Sequence, residues 1–234
     1  MTPQISIKHF TINKDGNNFC KNFIYDTQDA SQLGVFIEIK SSPRKTKKSP
    51  EQNDIASLGE FIASNIKSEF CDNSQRSIFI RFENALAKAE SVINAISENK
   101  TSFLNKITLL ITASKDNEIY FSKHGKIYAC SFKDGEIINI SPKNKKVSNP
   151  IKTDLETFKH IINIKVNKND RLIFLNEESG NSCDQQHLLL LLGNTTNKNL
   201  ETFKASMAAN SDNSSVANFA LFNLESRPKQ QISP

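Results

Sequence analysis

Two amphipathic helical stretches, followed at once by four short alternating stretches, leave this chain few folds open to it. Ile55, Leu58, Phe61, Ile62, Ile66 and Phe70 recur at three- and four-residue spacing. That spacing predicts a helix with one apolar face, with Asp54 as its N-cap. Phe79, Phe82, Leu86, Ala89, Ile93 and Ile96 form a second stripe of the same kind. The period then becomes two, and residues 107–112, 118–122, 126–132 and 136–140 read as successive strands. Their connections are Ser114-Lys115-Asp116-Asn117, Lys123-His124-Gly125 and Lys133-Asp134-Gly135, the last carrying the Asp-Gly pair typical of hairpins. Such short connections predict an antiparallel meander. A one-sided helix must bury its stripe, so the two helices are expected to cover a sheet.

The flanking segments add strands at both ends. Ile5, Ile7 and His9 alternate with Ser6, Lys8 and Phe10 before a turn at Lys14-Asp15-Gly16. Residues 34–39, Gly-Val-Phe-Ile-Glu-Ile, are apolar at nearly every position, as in a strand covered on both faces. Strands are also predicted over 160–166, 171–176 and 216–224, and helices over 184–192, ended by Gly193, and about 200–210. Runs of strands beside runs of helices specify an α+β fold. The expectation is a single domain over 1–225, with 226–234 a polar tail or linker.

Composition narrows function mainly by exclusion. No run reaches about 18 apolar residues, the length a membrane helix needs. Met1 to Phe10 lacks a basic-then-apolar leader pattern. Cys20, Cys71, Cys130 and Cys183 stand singly, without a Cys-x-x-Cys pair, and read as reduced thiols. A cytoplasmic location is therefore expected. The formal net charge of +5 is concentrated in two Pro-bounded basic stretches. One contains Arg44, Lys45, Lys47 and Lys48, the other Lys143, Lys145 and Lys146. If they rim a cleft they would attract anions. No nucleic-acid recognition motif accompanies them, and the phenylalanines sit within apolar runs, so nucleic acid is not an expected partner. With only 7 glycines, there is no Gly-rich phosphate loop or dinucleotide fingerprint.

The order of elements resembles the PPM-type, protein phosphatase 2C-like, metal-dependent phosphatases over about residues 5 to 225. Residues 34–41, Gly-Val-Phe-Ile-Glu-Ile-Lys-Ser, are similar to the family strand G-[VL]-F-x-V-A-D-G, with Lys40-Ser41 in place of its Asp-Gly. Residues 117–136 keep the frame of the family meander but lack its Gly-Asp-Ser. Residues 170–178 resemble the segment D-x-L-L-L-A-S-D-G, with Glu177 where the acid stands. Asp212-Asn213 before a β-branched strand resembles the closing Asp-Asn, and Cys20 falls nearest the acidic pair that precedes an early strand. The resemblance implies a four-layer α/β/β/α arrangement, a β-sandwich with helices on both outer faces.

It also implies a chemistry that this sequence is poorly equipped to perform. The family holds two Mn²⁺ or Mg²⁺ ions with carboxylates, and a water between them attacks phosphorus. Carried over position by position, the four acids become Cys20, Lys40, Glu177 and Asp212. A protonated lysine offers no lone pair and repels a dication. Ser41 also loses the close backbone approach a glycine allows. Lys40 is expected either to lie against Glu177 and Asp212 and neutralise them, or to point to solvent with the two acids separately solvated. Two readings follow. In the first the domain is a pseudophosphatase, a binding or regulatory module for a protein or phosphoprotein partner, with no cofactor and with anion-binding basic loops. In the second it is a divergent serine/threonine phosphatase using Mn or Mg and a shifted ligand such as Glu38, Glu178, Asp170 or Asp184.

Overall fold

Ten strands pair antiparallel into two five-stranded sheets in the computed structural model, which describes residues 2–13, 18–40, 51–72, 74–97, 106–140, 158, 160–182, 188–189, 192, 201–203, 205 and 216–227. One sheet has the order β2 (Phe19–Asp26), β3 (Gln32–Ile39), β4 (Ile107–Lys115), β5 (Glu118–His124), β8 (Ile162–Lys165). The other runs β1 (Thr2–Asn13), β10 (Val216–Arg227), β9 (Arg171–Asn176), β6 (Ile127–Lys133), β7 (Glu136–Asn139). Helices α1 (Glu51–Asp72) and α2 (Ile78–Ser97) pack on the outer face of the β3-centred sheet, and the short α3 (Glu177–Ser182) packs on the β9-centred one. This is the α+β sandwich with helices on both outer faces.

Alternation along each strand explains the two cores. On β3 the odd positions Leu33, Val35, Ile37 and Ile39 face the helices. They meet Ile62, Ile66 and Phe70 of α1 and Phe82, Leu86, Ala89 and Ile93 of α2. The even position Phe36 faces the opposite sheet with Leu110, Phe121, Phe174 and Phe222. Phe121 and Phe174 meet edge to face at 4.8 Å, Phe174 and Phe222 at 5.4 Å. Each such side chain contributes roughly 1.5–3 kcal/mol by leaving water. All eight residues of β3 are buried, because this strand is central and covered on both faces.

Several expectations are corrected in detail. The four strands 107–140 are not one meander. β4–β5 is a hairpin of one sheet and β6–β7 a hairpin of the other, while β6 pairs with β9. The chain crosses between sheets at Gly125-Lys126. Gly125 has φ +83°, and a Cβ there would stand 3.2 Å from the Ile107 carbonyl oxygen, so the crossing requires glycine. Asp54 is not the N-cap of α1, which already begins at Glu51. Phe61 and Phe79 were assigned to the buried stripes but are 54% and 39% exposed. The helix expected from 184 is preceded by α3, which starts at Glu177, directly after β9; residues 183–187 lie outside the described set. Ser226 and Arg227, assigned to the tail, pair with Pro3 and Thr2 in β1.

Candidate functional site

The strand register brings polar side chains together where β3 and β9 end, between the two sheets. Cys20 on β2, Glu38 on β3 and Thr108 on β4 are direct cross-strand partners, so they share one face. It is the inner face, the one that carries Phe36 two residues earlier. Glu38 is only 2% exposed. Its Oε2 accepts a hydrogen bond of 2.8 Å from Asn176 Nδ2, at the end of β9 in the opposite sheet. Its Oε1 lies 3.7 Å from Lys40 Nζ, an ammonium that remains 39% exposed. A buried carboxylate is costly unless hydrogen-bonded and paired, and this one has an amide donor and a nearby cation.

Asn176 faces two ways. While its Nδ2 donates to Glu38, its Oδ1 accepts the Ser179 backbone N–H at 3.1 Å. Asn176 is thereby the N-cap of α3, satisfying a donor that the helix cannot satisfy itself. Glu177, the first residue of α3, forms an ion pair with Lys126 from the inter-sheet crossing. Lys123, half-buried on the inner face, donates to the Ile127 carbonyl at 2.6 Å. Burial pushes its ammonium below the usual lysine range. Ile127 is the cross-strand partner of Asn176.

The residues singled out from sequence therefore divide. Cys20 and Lys40 do reach this end of the sandwich. Lys40 pairs with Glu38, and the cation on Glu177 is Lys126; the expected Lys40–Glu177 neutralisation is corrected. The reason is reach along one strand: Lys40 projects on the same side as Glu38, two residues earlier. Asp170, one of the spare acids, accepts from Asn167 in the turn before β9 and belongs to that turn. Asp212, Ser41, Arg44, Lys45, Lys47, Lys48 and Asp184 lie outside the described residues, as does the side chain of Glu178. Sequence reasoning missed Asn176. Its signal was an N-cap residue followed by two acids at the helix start, Asn176-Glu177-Glu178.

Comparison with known proteins adds the fold's relatives. No family model and no curated protein matches the sequence significantly. Solved structures do match. A serine/threonine phosphatase from S. agalactiae superposes with TM-score 0.71 at 11% identity, covering 94% of this chain and 100% of that one. PppA, a key regulatory component of T6SS in Pseudomonas aeruginosa, gives 0.63 at 10% identity, covering 96% and 99%. The catalytic domain of the serine/threonine protein phosphatase PstP, in complex with two manganese ions, gives 0.66 at 10% identity, covering 96% and 100%.

Two manganese ions would need several oxygen donors, mostly carboxylates. Among the described residues, no group of three or more His, Cys, Asp or Glu stands close enough to hold a metal. Where the resemblance implies ligands, the described residues supply a thiol at Cys20, an ammonium at Lys40 and a Glu177 already paired with Lys126. The buried Glu38 faces an amide N–H donor, where a metal would need another lone pair. Among the described residues, this donor set does not suit a two-metal centre. What the comparisons establish is architecture: the chain has the fold of the PPM-type serine/threonine phosphatases.

Proposed function

We propose that this domain is a pseudophosphatase, a PPM-type fold that acts as a binding or regulatory module and does not hydrolyse phosphate esters. One observation carries the reading: the buried Glu38 accepts from Asn176 and faces the Lys40 ammonium, so an amide donor and a cation already stand beside it. No cofactor is required in this reading. The partner is a protein or phosphoprotein met in the cytoplasm. Arg44, Lys45, Lys47 and Lys48, in the basic segment that follows Lys40 in sequence, supply the charge that draws an anionic partner in. The remnant acids Glu177 and Asp212 mark ligand positions of the family without serving as ligands here.

A second reading rests on Glu38 itself. A carboxylate pointing inward between the sheets could serve with Asp212 as a shifted Mn or Mg ligand, and the domain would then be a divergent serine/threonine phosphatase.

The discriminating experiment is turnover of p-nitrophenyl phosphate and of a phosphoserine peptide, with and without Mn²⁺, by the full chain and by Glu38→Gln. The pseudophosphatase reading expects no metal-dependent turnover from either protein. Turnover that requires Mn²⁺ and disappears in Glu38→Gln would establish the second reading in its place.

A further inference from the structure

Three contacts run in series from the inter-sheet end of the sandwich to the outer face of the β9-centred sheet. Glu38 accepts from Asn176 Nδ2. Asn176 Oδ1 accepts from the Ser179 N–H, and Ser179 is fully buried. Gly180 follows, and the ring of Tyr128 lies where a Cβ on Gly180 would stand, so no other residue fits against that ring. Tyr128 projects to the outer face and is 38% exposed.

The amide of Asn176 has two orientations about its last torsion, and only one serves both neighbours. A donor must face the carboxylate and an acceptor must face the Ser179 N–H. Rotation by half a turn sets acceptor against carboxylate and donor against donor. Both contacts are made together or lost together, and Glu38 supplies the acceptor that fixes the orientation. A competing cation on Glu38 removes that anchor.

We propose that Asn176 is a coupling amide: engagement of the Glu38 carboxylate between the sheets sets the order of the first turn of α3 and, through Gly180, the packing of Tyr128 on the outer surface. This coupling goes beyond the functional reading above and holds whether or not the domain turns over phosphate.

The test is residue-resolved amide exchange at Ser179 together with the ring resonances of Tyr128, in the full chain and in Glu38→Ala, Glu38→Gln and Glu38→Ala/Asn176→Asp. Asn176 bonds both Glu38 and the Ser179 amide, so it is the route tested for a local effect at Ser179. In Glu38→Ala the Ser179 amide is expected to exchange about five- to tenfold faster, the size of a lost N-cap, and the Tyr128 ring resonances to shift. Glu38→Gln retains an acceptor for Asn176 and should leave both unchanged. In Glu38→Ala/Asn176→Asp an acceptor-only cap replaces the amide without a facing carboxylate, and Ser179 protection should return. Amides of the β2–β3 turn, at the opposite end of β3, serve as the control for global loosening. An unchanged Ser179 and Tyr128 in folded Glu38→Ala would overturn the coupling. So would equal acceleration at Ser179 and in the β2–β3 turn.

Discussion

The two ends of β3 each hold an acid among cations, and they solve the problem in opposite ways. At the start of the strand, Asp29 in the β2–β3 turn accepts from four donors. Its Oδ1 takes the hydroxyls of Thr27 at 2.5 Å and Ser31 at 2.8 Å. Its Oδ2 takes Arg81 Nη1 and Lys115 Nζ, both at 3.0 Å. Arg81 is 0% exposed, donates through Nε to the Phe70 carbonyl and lies 4.2 Å from the Phe70 ring centroid. A turn, two helices and a strand converge on that pair. At the far end, Glu38 is more deeply buried than Asp29 and meets a neutral amide donor and an ammonium at 3.7 Å. The first cluster is built as a staple. The second joins the sheets through the Asn176–Glu38 hydrogen bond. The Asp29 cluster thus ties a turn, two helices and a strand together at the end of β3 away from Glu38.

The contrast can be broken from the staple end first. Arg81→Ala should cost about 3 kcal/mol or more in a urea or guanidinium titration, because it strips Asp29 of its buried partner and leaves the Phe70 carbonyl without its side-chain donor. Asn176→Ala should cost less, about 2 kcal/mol by the same measurement, from one cross-sheet hydrogen bond and one N-cap. A larger loss at Asn176 than at Arg81 would reverse the assignment of which end holds the fold.

The acid limb of the stability curve sharpens the same point. Burial alone would raise the Asp29 carboxyl, but hydrogen bonds from Thr27, Lys115, Ser31 and Arg81 outweigh it and hold the group well below the usual carboxylate range. A depressed folded-state value means stability that is fully present above the unfolded carboxylate value, about 4, and is lost progressively as pH falls below it. Denaturant midpoints measured from pH 6 down to pH 2 should decline more steeply in the native chain than in Asp29→Asn. The smallest effect belongs to the Glu38 end: Lys126→Ala removes a surface ion pair in which the lysine is 72% exposed, and should cost under about 1 kcal/mol.

Much of the fold was legible because burial leaves a period. The stripes of α1 and α2 and the near-continuous apolar run of β3 are consequences of which faces are covered, and those faces are fixed by side-chain direction. Choice of strand partner leaves no such trace. Gly125-Lys126 reads like any short turn, yet it carries the chain from one sheet to the other, because partner choice depends on residues 171–176, far along the sequence. Strand β2 was read only as the place of a missing acid at Cys20, since Lys21 and Asn22 interrupt its apolar pattern. Within the candidate site, Lys40 and Cys20 came from the family resemblance, and the strand register sets both at the end of the sandwich that holds Glu38. Asn176 was missed because α3 is polar throughout and its cap resembles a loop. The Lys40–Glu177 expectation failed for a related reason: a charge's partner is set by neighbouring backbone, and Lys126 at the crossing is nearer to hand.

The central claim is that a phosphatase fold here lacks the metal chemistry of its structural relatives. Calorimetric titration of the full chain with Mn²⁺ tests it most directly, with Lys40→Asp as a second sample to ask whether removing the ammonium admits the ion. The account predicts no measurable Mn²⁺ binding by the native chain at millimolar metal. Saturable, tight binding of Mn²⁺ by the native chain would contradict it.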